Sequence, residues 1–340
     1  MAQHSQIPPV VAVYGASGHT GGFILDALAR RGLEAIAIGR RTHTRGDTPV
    51  RIATLDDAEA LRSAFAGCGV VINAAGPFLD TATPVVEAAL AAGCHYIDVT
   101  AEQASARDTL QRHHQRARQR GRCVIPAAGF FGGLADLLAS SLAPSRLGTI
   151  DHATVAVALD HWWPTPGTRR TGARNTAPRL VVDDGQLVPM AVPTPPTDWD
   201  FGTGQGIVAM EHAPMAEVIT LHQHLAPRRM RSLLSANALR DLRNPETAAP
   251  RPVDALGRSA QRFTLQVLLG HAAGAHRATA RGQDIYAVSA PLVVEAAARL
   301  LRGDQVRTGA CTIGEAFDAR ALLRSLVASS ALAVESTELR

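Results

Sequence analysis

The chain has 340 residues and a formal net charge of +4, and all 34 of its basic side chains are arginine. The missing lysine excludes a Schiff-base lysine, a pyridoxal phosphate anchor, a phosphate-loop lysine and a Tyr-x-x-x-Lys dehydrogenase pair. Hydrophobic content of 46%, charged content of 19% and four scattered cysteines without a C-x-x-C pair argue against disorder, a disulfide framework and a zinc site.

Residues 1–9 carry neither a charged nor a long apolar leader segment, and no uninterrupted apolar run of about 18 residues follows. A cytoplasmic protein that does not enter membranes is expected. Val10–Tyr14 is a short apolar run, and residues 21–31 show helical spacing of Phe23, Ile24, Ala27 and Leu28, ended by Gly32. Strands are predicted at 33–38, 50–53, 69–73, 95–99 and 123–126, and helices at 55–66, 84–92 and 103–120. This alternation predicts an α/β fold, a Rossmann-type doubly wound parallel sheet, over residues 1–127. Arg112, Arg116 and Arg120 form a row on the 103–120 helix. With so thin a net charge, the row reads as a solvated face, and nucleic acid is not an expected partner.

A second, more irregular α+β domain is predicted over 128–280. Its strand candidates are 154–159, 180–182, 217–221 and 262–269, with a helix at 230–242 and loops over 183–206. Residues 281–340 carry predicted helices at 291–301 and 319–326.

Gly15-Ala16-Ser17-Gly18-His19-Thr20-Gly21 joins the first strand to the first helix. Glycines there let the backbone approach a pyrophosphate, which sits on the helix N-terminus. An NAD site places a carboxylate about twenty residues on, near the end of the second strand. Here Arg40, Arg41 and Thr42 follow Gly39, and a guanidinium suits a 2′-phosphate, so NADP is expected over NAD. Asn73-Ala74-Ala75-Gly76-Pro77-Phe78 ends the fourth strand at the ligand crevice. Small residues there admit a nicotinamide ribose, and Asn73 is placed to hydrogen-bond it.

With these segments on the page, the chain resembles the saccharopine dehydrogenase-like NAD(P)-binding oxidoreductases, a family that includes trans-acting enoyl reductases. The resemblance is carried by Gly15 to Gly21, Asn73 to Phe78 and His95-Tyr-Ile-Asp98-Val-Thr100-Ala-Glu102. It continues in Pro126 to Phe130, running into Leu134 to Leu137, and in Gly282 to Tyr286 with the helix behind it. It implies an N-terminal Rossmann domain, an inserted substrate and dimerisation domain, a C-terminal return and a homodimer. Phe131 departs from the polar residue that relatives often carry after Gly-Phe.

Hydride transfer needs a positioned acceptor and a proton donor. Period-two alternation puts Tyr96, Asp98 and Thr100 on one face of the fifth strand. Tyr96, Asp98 and Glu102 are candidates to hold an amine or move a proton, or else to cap the next helix and pack beneath the cofactor. His161, beside Trp162 and Trp163, and the pair His222 and His224 are candidate general acids. His222 and His224 alternate on a predicted strand, but no carboxylate completes a metal set, and no metal is expected. Arg169, Arg170 and Arg174 read as a loop that either clamps an anion or faces solvent, and Asp284 and Tyr286 as packing residues. The leading expectation is an NADP-dependent oxidoreductase reducing a C=N or activated C=C bond of a small-molecule or carrier-bound substrate. The alternatives are a non-catalytic NADP-binding sensor or scaffold and an atypical short-chain, NmrA-like dehydrogenase.

Overall fold

Val10–Tyr14 (β1) carries no polar side chain but a terminal tyrosine hydroxyl, and nearly all of it is buried, as a central strand covered on both faces requires. The computed structural model describes residues 9–41, 47–142, 148–192 and 194–339; of the residues read above, 1–8 and Thr42 lie outside them. After β1 come α1 (His19–Arg30), β2 (Glu34–Gly39), β3 (Val50–Ile52), α2 (Ala58–Ala64) and β4 (Val70–Asn73). α3 (Phe78–Ala91), β5 (His95–Asp98), α4 (Gln103–Gln119) and β6 (Cys123–Ile125) complete the alternation. α1 turns Phe23, Ile24, Ala27 and Leu28 inward and ends at Gly32, whose φ of 67° is one that a glycine adopts without strain. Asp57 caps α2 by accepting from Ala60 N–H at 2.8 Å.

A tight turn over Phe130–Leu134 leads to α5 (Ala135–Leu142), and then a second sheet begins. Its elements are β7 (His152–Leu159), α6 (Pro166–Arg174), β8 (Leu180–Asp183), β9 (Gln186–Pro189), β10 (Thr197–Asp200) and β11 (Ile207–His212). α7 (Glu217–Leu225), β12 (Arg229–Ser235), α8 (Ala236–Arg243), β13 (Arg262–His271) and β14 (Gly274–Gln283) follow. The chain closes with α9 (Ser289–Arg302), β15 (Gly309–Ala310), α10 (Ile313–Ala316), α11 (Ala319–Ala328) and β16 (Ala333–Leu339).

Among the described residues the first sheet has the order β15-β6-β5-β4-β1-β2-β3 and every pairing is parallel. The direction of winding reverses between β1 and β4, the crevice where open α/β sheets bind ligands. The second sheet runs β10-β11-β12-β7-β13-β14-β16, antiparallel except for β12 beside β7.

Residues 281–340 divide between the two sheets. β15 extends the parallel sheet beside β6, whereas β16 pairs with β14. α9 lies on α1, where buried Glu295 forms an ion pair with Arg31 at 2.5 Å and accepts a hydrogen bond from Arg299 at 2.8 Å. Leu292, Val293 and Leu300 are fully buried on α9, each worth about 1.5–3 kcal/mol of transfer free energy.

Several expectations in the second domain are corrected. Residues 217–221, expected as a strand, form the start of helix α7, with Val218, Ile219 and Leu221 buried. Residues 230–242, expected as one helix, split into β12 and α8. Arg229, Met230, Arg231 and Ser232 alternate exposed and buried, a period of two that the following helical spacing hides. The expected loop at 183–206 holds β9 and β10, and Arg169, Arg170 and Arg174 stand on helix α6, started by Thr165 accepting from Thr168 N–H at 3.0 Å. His222 and His224 share α7 rather than a strand, so they diverge. His222 Nε2 lies 3.1 Å from Gly185 O, and His224 Nε2 lies 3.0 Å from Ser140 Oγ.

Candidate active site

The β1–α1 loop is closed against the end of β4. Gly15 has a φ of 82°, and a Cβ there would come within 2.8 Å of the Ala75 backbone nitrogen. A Cβ on Gly21 would collide with the Gly15 carbonyl, so α1 can start this close to β1 only with glycine at both positions. Gly18 N–H donates to Gly15 O at 2.9 Å, and no side chain caps α1. The first-turn amides of α1, with the positive end of its dipole, are left for an anion.

These loops border a cavity of about 710 Å³ between the carboxyl ends of the parallel strands and the second domain. Gly15, Ser17, Gly18, His19 and Thr20 line it, as do Ala74, Ala75, Gly76 and Phe78. Ala16, Gly21 and Pro77 shape the same loops from behind, without facing the cavity. Arg40 lines the cavity at the end of β2, beside Tyr14; Arg41 is exposed and does not line it. Burial pushes the Tyr14 hydroxyl up, with Arg40 opposing the rise and Asp56 adding to it.

Three expected site residues lie one layer behind. Asn73, Tyr96 and Asp98 are fully buried. Asn73 Nδ2 donates to Thr81 Oγ1 at 3.2 Å and to the Tyr96 hydroxyl at 3.1 Å, and its Oδ1 accepts from Ala75 N–H at 3.0 Å. The Tyr96 hydroxyl donates to Asp98 Oδ2 at 2.9 Å, while Asp98 Oδ1 accepts from the amides of Thr100 and Ala127. Burial pushes Asp98 up to about 6, against the pull of these hydrogen bonds. Tyr96 and Asp98 do share a strand face, but α3 covers it, so neither reaches the cavity. Asn73 is likewise buried, with its amide nitrogen spent on Thr81 and Tyr96 and its oxygen turned to Ala75.

Glu102 does reach the cavity wall. Its carboxylate accepts from Phe78 N–H at 2.7 Å and Leu79 N–H at 3.2 Å, so it serves the open amides at the start of α3. Burial raises it and those two amides lower it. His161 stands outside the cavity, with a side chain 59% exposed, stacked on Trp163 and 3.6 Å from Asp241. Its exposure removes it from any water-excluded chemistry.

The far wall comes from residues that sequence patterning did not assign to the site. Phe130 and Phe131 meet edge to face at 5.0 Å, and Phe131 stacks on Trp162 at 5.5 Å, forming an apolar aromatic wall. Helix α6 lines the cavity along its length. Arg169 is held by the carbonyls of Asn244 and Thr247, Arg174 by Asp80, and Arg170 is exposed at the cavity. Tyr286, ahead of α9, turns its hydroxyl toward Trp162 Nε1 and Thr168 Oγ1, both at 2.9 Å. Its ring meets that of His19 edge-on at 5.4 Å, and burial lowers His19. The one sequence signal for Tyr286 was its place at the end of the Gly282–Tyr286 segment, since Trp162 and α6 carry no motif.

Among the described residues no group of three or more His, Cys, Asp or Glu could hold a metal, and no helix is long and apolar enough to cross a membrane. Residues 11–125 match the family described as the saccharopine dehydrogenase NADP binding domain. The sequence is 29% identical over 168 residues to a Caenorhabditis elegans protein named lipid droplet localized protein, covering 44% of this chain and 39% of that one. It is 29% identical over 133 residues to a trans-acting enoyl reductase of Mycobacterium tuberculosis, covering 35% of this chain and 32% of that one. The matched region thus spans about a third to two fifths of the relatives' own length. The fold matches that of apo saccharopine dehydrogenase (L-Glu forming) from Saccharomyces cerevisiae, with a TM-score of 0.66 and 11% identity, covering 98% of this chain and 100% of that one.

Proposed function

We propose that the chain, whose residues 11–125 match the saccharopine dehydrogenase NADP binding domain and whose fold matches that of saccharopine dehydrogenase, is an NADPH-dependent reductase of that kind. It reduces a C=N or activated C=C bond of a small-molecule or carrier-bound substrate. The observation that carries this reading is the single cavity shared by the glycine loop, Arg40 and an aromatic wall from the second domain.

The residues present fit the dinucleotide. The cradle at Gly15 and Gly21 is one that any Cβ would fill, and the first-turn amides of α1 face the cavity as a pyrophosphate site. Arg40 supplies a fork for a 2′-phosphate where an NAD site would carry a carboxylate. NADPH, when bound, supplies the hydride. The chain's own part is to hold it at the strand ends and to exclude water with Phe130, Phe131 and Trp162. The enoyl reductases among the relatives favour the activated C=C bond over C=N.

Titration of the purified protein with NADPH, followed by cofactor fluorescence, tests the premise, and NADPH oxidation with enoyl thioesters and cyclic imines tests the reaction. Binding in the micromolar range with turnover of one class is expected. No binding at high micromolar NADPH would end the proposal.

A further inference from the structure

We infer that the Tyr286 hydroxyl is the proton donor of this site, delivering a proton to the nitrogen or α-carbon of the bond being reduced. The inference rests on the reductase reading above and deepens it.

Tyr286 has features that a packing tyrosine does not need. Its phenol oxygen receives the Trp162 indole N–H at 2.9 Å and faces the Thr165 backbone N–H at 3.4 Å. Thr165 is the N-cap of α6, so the positive end of that helix dipole also points at the oxygen. Two N–H donors and a helix N-terminus all stabilise the same species, a phenolate formed after the proton has left. With its lone pairs occupied by donors, the oxygen's own proton has two destinations: Thr168 Oγ1 at 2.9 Å, or a group in the cavity, which Tyr286 lines. Thr168 Oγ1 in turn lies 3.0 Å from Thr165 Oγ1, so the phenol joins a short hydroxyl chain.

The hydroxyl is held in place from behind. Asp284 Oδ1 accepts from the backbone N–H of Tyr286 at 2.9 Å and of Ala287 at 3.0 Å, and its Oδ2 accepts from Ser259 N–H at 2.7 Å. The charged and titratable groups facing the ring are the Asp284 carboxylate and the His19 imidazole. Burial, reinforced by Asp284, raises the phenol above its ordinary value, so it carries its proton at neutral pH. The acids expected from the sequence do not compete: Tyr96 and Asp98 are sealed in the layer behind, Glu102 is occupied by two amides, and His161 is outside; burial lowers His19, disfavouring its protonated form.

The step balances. The hydride of NADPH forms a C–H bond at the electrophilic carbon, the π pair moves to the neighbouring nitrogen or α-carbon, and that atom takes the Tyr286 proton. NADPH is oxidised, the substrate is reduced by two electrons, and one solvent proton is consumed in restoring the phenol.

The test compares wild type with Tyr286→Phe, using a crotonyl thioester and 1-pyrroline as probes and NADPH absorbance as the signal. General acid catalysis contributes about 100- to 10,000-fold, so kcat is expected to fall by at least about 100-fold, with KM and NADPH affinity nearly unchanged. The wild-type minus Y286F absorbance titration of the apo protein at 295 nm gives a second readout, expected to show a phenol protonated beyond pH 9. A Y286F kcat within threefold of wild type, or a Tyr286 phenol already ionised at pH 8, overturns the donor assignment alone. A wild type that binds NADPH yet reduces neither probe overturns the reductase reading and leaves Tyr286 no proton to deliver.

Discussion

Trp162 and Tyr286 are 124 residues apart in the chain, and the indole N–H of the first donates to the hydroxyl of the second at 2.9 Å. The bond joins the segment after β7 to the segment before α9, so it ties the second domain to the helix that lies on α1. A net intramolecular hydrogen bond between neutral groups is worth about 0.5–1.5 kcal/mol. Urea unfolding of W162F, Y286F and the double variant should therefore show a coupling energy of about 1 kcal/mol. Strictly additive losses would mean that the two side chains only pack.

Gly21→Ala sets two effects against each other. Helix propensity alone favours alanine by about 1 kcal/mol in a helix interior. The new Cβ would collide with the Gly15 carbonyl, however, and neither backbone can yield without opening the loop. The collision is expected to win: G21A should unfold at a lower temperature and lose at least tenfold in NADPH affinity by fluorescence titration. A G21A protein more stable than wild type would show that the loop can relax.

The parallel sheet was legible because its signals are local. Apolar runs, a glycine loop and a capping glycine at position 32 all act within one turn of chain, and they located β1, α1 and β2 together. The second domain was not, because its strands take their identity from distant partners. In β12, Arg229 and Arg231 alternate with buried neighbours only once β7 lies alongside, and β16 exists by pairing with β14. The site was legible by half for the same reason. The glycine loop and the strand ends announce themselves, and period two did place Tyr96 and Asp98 on one face. Which side of the sheet that face meets depended on α3, through Asn73 and Thr81. Tyr286 and Trp162 become a site only by folding across those 124 residues, a juxtaposition that no spacing rule encodes.

Arg40 and Arg41 are adjacent in sequence, but only Arg40 lines the cavity. A charge-assisted hydrogen bond contributes about 1.5–3 kcal/mol, or roughly 10- to 150-fold in affinity. R40A should weaken NADPH binding by about that factor while changing NADH binding little, whereas R41A should leave the NADPH-to-NADH ratio near its wild-type value. Fluorescence titration with each cofactor checks this, and an unchanged ratio in R40A would remove Arg40 as the reader of the 2′-phosphate.

His95 and Asp98 sit three residues apart on β5, and burial drives them in opposite directions with pH. His95 is pushed down to about 3 from an ordinary 6.5, and its Nδ1 accepts from Cys123 N–H at 2.9 Å, which requires the neutral ring. Its contribution to stability is full above pH 6.5 and is lost as pH falls toward 3. Asp98 is raised from 3.8 to about 6, so its contribution is full below pH 3.8 and is lost as pH rises through 6. Each tenfold change in a proton-binding constant between the folded and unfolded chain is worth about 1.4 kcal/mol. Between pH 7 and 5 the histidine therefore costs roughly 2 kcal/mol and the aspartate returns roughly 1 kcal/mol, largely offsetting it. Asparagine can accept the same amide bonds at either position. Relative to wild type, D98N should then lose roughly 1 kcal/mol more on going from pH 7 to pH 5, and H95N roughly 2 kcal/mol less. Urea unfolding at the two pH values distinguishes these slopes. If D98N and H95N displace the wild-type pH dependence in the same direction, that dependence does not originate in this pair.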